Sequence, residues 1–215
     1  MRSYQDLCGI ARALDVVGER WALLVVRELL FGPKRFADLH RGLPGMSPNV
    51  LTQRLRQLEQ SGILTRRRAL QSATGLVYEL TDRGRALEPA LLALGRWGSS
   101  LAPGPGSATV LSPDALMVAL RTTFEPALAA DLQGIVQVRL PADAFVLTVR
   151  GGLLDVVRGE AAAGAVLTCS VRTVQDLAFD GHAVEAAVRT GEAVVDGDRV
   201  LLEHLFRAFD DHRVR

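Results

Sequence analysis

Asn49, Gln53 and Arg56 fall on one side of a segment whose other side is Leu51, Leu55 and Leu58. Amide side chains and guanidinium groups can bond bidentately to base edges in a DNA major groove. Turning each residue by about 100° places Gln60 on the same polar side, with Thr52 and Gln57 on its flanks. A little further on, Arg66, Arg67 and Arg68 stand in a row. A guanidinium meets phosphate oxygens through two parallel bonds. The first group suits base reading. The second suits holding a polyanion's backbone.

Two helices must position these side chains. Leu43-Pro44-Gly45-Met46-Ser47 breaks the chain, because Pro and Gly stand side by side. Ser47 before Pro48 is a helix start: the serine oxygen accepts an orphan N–H, and proline has none to lose. Gly62 is a plausible stop. A shorter helix, from about Arg35 to Arg41, precedes the break and packs through Phe36 and Leu39. Two helices joined by a tight turn, the second presenting amides and arginine, match a helix-turn-helix. An ordinary amphipathic helix with a solvated face fits that stretch equally well. The next residues favour the first reading. Ile63 to Leu70 reads as an arginine-loaded strand, Gln71 to Gly75 as a turn, and Leu76 to Thr81 as a second strand with Leu76, Tyr78 and Leu80 alternating. A hairpin directly after a recognition helix is the wing of a winged helix. Exposed charge protecting an edge strand is the alternative use of the arginines.

Charge divides the chain. The whole carries a formal +1, but residues 1–101 hold 15 basic and 9 acidic side chains, +6, and residues 102–215 hold 10 and 15, −5. Such asymmetry between halves points to a nucleic-acid partner for the basic one. Ala102-Pro103-Gly104-Pro105-Gly106-Ser107 separates them as a linker. The expected organisation is a domain over 1–101, a linker over 102–111 and a second domain over 112–215. No apolar run reaches membrane-spanning length, and the N-terminus has no signal-peptide core. No membrane association is expected. Cys8 and Cys169, far apart, suit a reducing cytoplasm rather than a disulfide scaffold. His40, His182, His204 and His212 lack partners at metal-ligand spacing, and no nucleophile elbow, P-loop or dinucleotide fingerprint occurs. Nothing asks for catalysis, a metal or a cofactor, so the expectation is a non-enzyme.

The first domain carries further helices. Gly18-Glu19-Arg20-Trp21 opens one through Leu30, and Thr81-Asp82-Arg83-Gly84 starts another to about Leu101, striped by Leu87, Leu91, Leu94 and Trp97. Tyr4 to Val17 is also amphipathic. This is more apolar surface than about 100 residues easily hide, and a two-fold dimer would cover it. From Cys8 to Leu101 the motifs Gly18-Glu19-Arg20-Trp21, Arg35-Phe36 with Leu39, Ser47-Pro48-Asn49 with Leu51, Thr52, Arg54, Leu55 and Leu58, and Tyr78 with Leu80-Thr81 occur in order. In this the chain resembles the HxlR-type winged helix-turn-helix regulators of bacteria. The resemblance implies a homodimer on double-stranded DNA, with Ser47, Asn49, Thr52, Gln53 and Arg56 at the bases or backbone. Arg54 matches the arginine of the motif and lies beside the leucine stripe, so a phosphate or an acidic neighbour is its expected partner. Some members sense oxidants through a cysteine near the N-terminus, where Cys8 stands. The family often has Cys-Pro there, and this chain has Cys8-Gly9. A half-buried thiol acting as a small hydrophobe is the other expectation.

The second domain alternates differently. Ser112-Pro113-Asp114 caps a helix through about Phe124. Gly134–Leu140, Phe145–Arg150, Leu153–Gly159 and Ala165–Val171 read as strands, Gly151-Gly152 as a hairpin turn, and Thr173–Phe179 and Ala183–Arg189 as helices. Ala193–Asp198 reads as a short strand and turn, and Arg199–Asp210 as a closing helix. The expected fold class is α+β: a winged helix-turn-helix followed by a mixed sheet plus helices. The pattern of hairpin, glycine-ended strand and apolar last helix resembles the sterol-carrier-protein-2-like (SCP2-like) fold. That resemblance implies a tunnel for a hydrophobic small-molecule effector. Its expected lining is Phe124, Phe145, Leu154, Phe179, Leu202, Phe206 and Phe209, large apolar residues on elements that would face one sheet side. A domain that only packs and adds contacts fits the same residues. A lipid or sterol carrier is the alternative function for the whole chain.

Overall fold

The computed structural model describes residues 3–68, 75–101, 110–129 and 131–209. Residues 69–74, which hold the end of the expected strand 63–70 and most of the expected turn 71–75, and most of the expected linker, 102–109, lie outside them. Contacts divide the chain into two compact units, Met1–Leu91 and Leu92–Arg215.

In the first unit, helix α1 (Gly9–Val17) and helix α2 (Ala22–Leu29) are joined by a tight turn. Trp21 there takes φ 78°, a left-handed conformation that bulky side chains rarely adopt. That geometry cannot continue a helix, so α2 starts after Trp21 and not at Gly18. A two-residue strand, β1 (Lys34–Arg35), leads into α3 (Phe36–Gly42), which covers the helix expected at 35–41. Helix α4 (Pro48–Gln60) has the expected start: Ser47 Oγ accepts from the Val50 N–H at 3.4 Å. Strands β2 (Leu64–Arg68) and β3 (Leu76–Leu80) form the antiparallel hairpin, and β1 adds to β3 on its other side. Leu51, Leu55 and Leu58 of α4 are buried, as are Val25, Val26 and Leu29 of α2 and Leu39 of α3. The helix expected from Thr81 to Leu101 is two pieces, α5 (Asp82–Arg85) and α6 (Glu88–Ser99). Pro89 explains the restart, since it has no N–H to bond back into the preceding turn. The division between the units falls within α6.

The second unit opens with α7 (Pro113–Thr123), capped by Ser112 Oγ, and a 3₁₀ turn over Pro126–Ala129. Strands β4 (Gly134–Leu140), β5 (Asp143–Arg150) and β6 (Leu153–Arg158) form a meander. Gly151 and Gly152, at φ 57° and 72°, make the second hairpin a turn that needs two left-handed residues. Strand β7 (Ala165–Cys169) then crosses over to lie parallel to β4. It is shorter than the expected 165–171, because Ser170 caps helix α8 (Val171–Phe179). Helix α9 (Val184–Arg189), strand β8 (Ala193–Gly197) and helix α10 (Arg199–Arg207) complete the unit. The sheet order is β6-β5-β4-β7-β8, so the observed class is mixed α+β. Val136, Val138, Phe145, Leu147 and Leu167 share a buried sheet face. On the opposite face Gln137 is also buried, beneath the β6–β7 crossover: its Nε2 donates to the carbonyls of Phe145 and Gly159, and its Oε1 accepts from Ala161. Helix α10 stops short of the expected Asp210, and Phe209 instead pairs its backbone with Phe124.

Candidate nucleic-acid interface

The inner face of α4 fixes which side chains face outward. With Leu51, Leu55 and Leu58 buried, Asn49, Gln53 and Arg56 are exposed and make no side-chain hydrogen bond or ion pair among the described residues. Ser47, at the cap, is exposed as well. Thr52 is half-buried and turns its hydroxyl back to the Pro48 carbonyl at 2.9 Å. Open amides and a guanidinium on one helix face are the inventory that base edges can use.

Arg54 lies elsewhere. It is only 7% exposed, Nη1 donates to Gln57 Oε1 at 2.6 Å, and Nη2 donates to Glu19 Oε2 at 3.3 Å. Of its two expected partners, an acidic neighbour is the one present, and its guanidinium is withdrawn from the outer face. Gln57, expected on a flank of the polar side, is engaged by Arg54. Nothing local in the sequence pointed to Glu19, which lies 35 residues away.

The wing arginines are not equivalent. Arg67 is half-buried and pairs with Glu79 across the hairpin at 2.9 Å. Arg66 is exposed, with Nε 3.9 Å from Glu59 of α4. Arg68 is exposed and makes no ion pair among the described residues. Arg67 thus serves the hairpin, Arg66 leans toward Glu59 of α4, and Arg68 stays unpaired among the described residues. The chain's single lysine, Lys34, is also engaged, with Nζ 2.9 Å from the buried carboxylate of Glu28. A Cβ at Gly42 would stand 2.2 Å from that carboxylate, so only glycine lets α3 sit this close to α2. That packing places the first helix of the helix-turn-helix.

In the second unit the seven expected lining residues are spread. Phe124, Phe145, Leu202, Phe206 and Phe209 are buried, and Leu154 and Phe179 are half-buried. Phe124, Phe206 and Phe209 form an aromatic cluster, with centroids 5.9 and 6.0 Å apart. A pocket of about 430 Å³ is lined by Phe179, Phe206 and Phe209 together with His182, Glu203 and Arg207. Phe145 belongs to the core instead: the Arg158 guanidinium lies 4.7 Å above its ring and holds Asp114 at 2.7 Å and Asp143. Neither Leu154 nor Leu202 lines the pocket.

The cysteines differ from each other. Cys8 is exposed, not half-buried, because it stands one residue before α1 with its side chain outside any packed face. Cys169 is buried, and desolvation pushes its thiol up to about 12. No described helix is long and apolar enough to cross a membrane.

Comparison with known proteins agrees with the first unit. The HxlR-like helix-turn-helix family model matches residues 16–104. The HTH-type transcriptional regulator YvaP of Bacillus subtilis (strain 168) is 36% identical over 88 residues, which is 41% of this chain and 82% of that protein. The HTH-type transcriptional regulator sll1512 of Synechocystis sp. is 41% identical over 93 residues, 43% of this chain and 69% of that protein. Among solved structures, the redox regulator HypR in its oxidized form is 35% identical and covers 45% of this chain and all of its own, with a TM-score of 0.42. The chain belongs to the HxlR-like helix-turn-helix family, and its first unit is that of a DNA-binding transcriptional regulator.

Proposed function

We propose that the protein reads a specific duplex operator as a homodimer in the cytoplasm and that an apolar small molecule in its second unit adjusts the affinity. The observation that carries DNA reading is the open face of Asn49, Gln53 and Arg56 on a helix whose other side is fully packed. Each dimer would present two such helices, about 34 Å apart, to successive major grooves. Ser47 and Thr52 flank the same face, and Arg66 and Arg68 reach phosphates beside it. Arg54 supports that face from within.

Dimerisation rests on apolar surface left uncovered. On α1, Ile10 is 72% exposed and Leu14 is also exposed, and on α6 Trp97 is 63% exposed beside the exposed Leu94. Side chains of this size pack against a partner in most stable assemblies. The chain acts by binding, with no cofactor. Fluorescence anisotropy with a duplex selected from a randomised pool tests the reading. Saturable binding, at least a hundredfold tighter than to scrambled duplex and with two chains per site, is expected. Equal affinity for both duplexes would remove operator reading.

The effector reading rests on the second unit's half-open pocket, where Phe179, Phe206 and Phe209 stand beside His182, Glu203 and Arg207. The parallel β4–β7 pair and the amphipathic α10, with Leu202, Leu205 and Phe206 buried, also suit an SCP2-like carrier architecture. For regulation, the ligand must bind the DNA-competent and incompetent states differently, by about 1–3 kcal/mol. A fluorescent fatty-acid or sterol probe should be taken up and should shift operator affinity. No uptake would leave the second unit as packed structure alone.

A further inference from the structure

The α1–α2 turn touches the helix-turn-helix at two places. Trp21 reaches the turn between α3 and α4, where a Cβ at Gly45 would stand 3.9 Å from its ring. Glu19 reaches α4 itself, with Oε2 3.3 Å from Arg54 Nη2. Trp21 holds a left-handed backbone and carries the Arg20 guanidinium 5.3 Å above its ring, which stiffens the turn. From these contacts we infer that Glu19 is a positioning residue for DNA reading: through Arg54 it trims the rotation of α4 about its axis within the range that the buried leucine stripe leaves. The inference rests on the operator reading above.

Stability is a poor explanation for this pair. Glu19 is 61% exposed, and an ion pair with one partner so open to solvent adds little. Arg54 Nε is buried with no hydrogen-bond partner among the described residues, so an apolar side chain would fill the position with less desolvation. Geometry is what the pair supplies. Arg54 follows Gln53 directly and precedes Arg56 by two, so any torque on Arg54 is felt by both. Side chains reach about 5–6 Å from a helix axis. A rotation of roughly 10° then moves their tips by about 1 Å, which exceeds the spread of distances that a good hydrogen bond tolerates. Gln57 holds the other guanidinium nitrogen, but it lies on α4 and turns with it, so it cannot fix the rotation. Among the hydrogen bonds and ion pairs of the described residues, the one to Glu19 ties Arg54 to a segment outside α4.

The test compares two affinities. The duplex that the unaltered protein selects from a randomised pool, and a scrambled duplex of equal length, are titrated at one salt concentration with the full chain, with Glu19→Gln and with the exchanged pair Glu19→Arg/Arg54→Glu. Thermal unfolding is recorded for all three. Glu19→Gln should lower the ratio of selected to scrambled affinity about threefold, within what an ion pair this open to solvent can bias. Scrambled-duplex affinity should hold or rise, because a negative charge is gone. The exchanged pair should recover part of the ratio. If Glu19 acts only through its charge, both affinities rise together. If it acts only through folding, both fall together with the unfolding temperature. An unchanged ratio in Glu19→Gln overturns the inference in either case. A lack of discrimination in the unaltered protein would instead defeat the operator reading itself.

Discussion

Gln53 and Gln137 carry the same amide into opposite situations. Gln53 stands exposed on α4, in the basic part of the chain, with no bond among the described residues. Gln137 is fully buried in the acidic part and bonds three backbone groups. The two regions follow the same division. Charged and amide groups in the second unit hold the fold together: Arg158 ties Asp114 and Asp143, and Gln137 pins the crossover between β6 and β7. On the first unit's outer face Asn49, Gln53, Arg56 and Arg68 hold no side-chain partner among the described residues. A polar group whose bonds are complete stabilises its surroundings, and one left open can recognise something else.

Substitutions can break that contrast. The largest effect is expected from Gln137→Leu, which removes one bond each from the carbonyls of Phe145 and Gly159 and from the N–H of Ala161 and should cost ~2–4 kcal/mol of stability. Urea unfolding would measure it, and a loss under 1 kcal/mol would mean that water replaces the amide. Gln53→Ala should do the reverse. Operator affinity should weaken by ~1–3 kcal/mol more than scrambled-duplex affinity, with stability changed by less than about 0.5 kcal/mol. Equal loss on both duplexes would remove Gln53 from base reading.

The wing sharpens the contrast within the first unit. Arg68→Ala should flatten the salt dependence of binding by roughly 0.9 in log–log slope, one phosphate contact. Arg67→Ala should change that slope much less, since Glu79 already holds its guanidinium. Equal slopes for the two variants would show that the cross-strand pair opens on DNA. The smallest effect is expected at the cap. The Ser47–Val50 bond is long, at 3.4 Å, so Ser47→Ala should cost about 0.5–1 kcal/mol of stability. A larger loss on operator than on scrambled DNA would show that the hydroxyl also touches the duplex.

Local signals made much of this legible. Ser47-Pro48 marks the start of α4 and the leucine stripe its inner face, so the outward side chains followed from spacing alone. Alternation and the Gly151-Gly152 pair did the same for the β4–β6 meander. Features built across long sequence separations were not legible. Strand β1 is two residues long and exists because β3 pairs with it. Trp21 adopts a left-handed backbone that no residue type announces. The place of Arg54 beside the leucine stripe left a phosphate or an acidic neighbour as its partner, and periodicity along α4 cannot reveal that the carboxylate is Glu19, 35 residues away. Seven apolar residues suggested one tunnel, yet a large side chain on a sheet face serves core and cavity alike: Phe145 went to the core and Phe206 to the pocket. Phe209 joined Phe206 there as α10 ends early and Phe209 turns back to Phe124, and Phe179 reaches the pocket from the end of α8.

The central claim is that DNA is read by the outer face of α4 and the adjoining wing, and not by the second unit. Hydroxyl-radical footprinting of the full chain, with and without its selected duplex, tests it directly. The account predicts that the duplex shields side chains from Ser47 to Arg56 and along β2, while labelling of β4–β8 and α10 stays the same. Shielding of the second unit's strands, with α4 labelled as before, would contradict it.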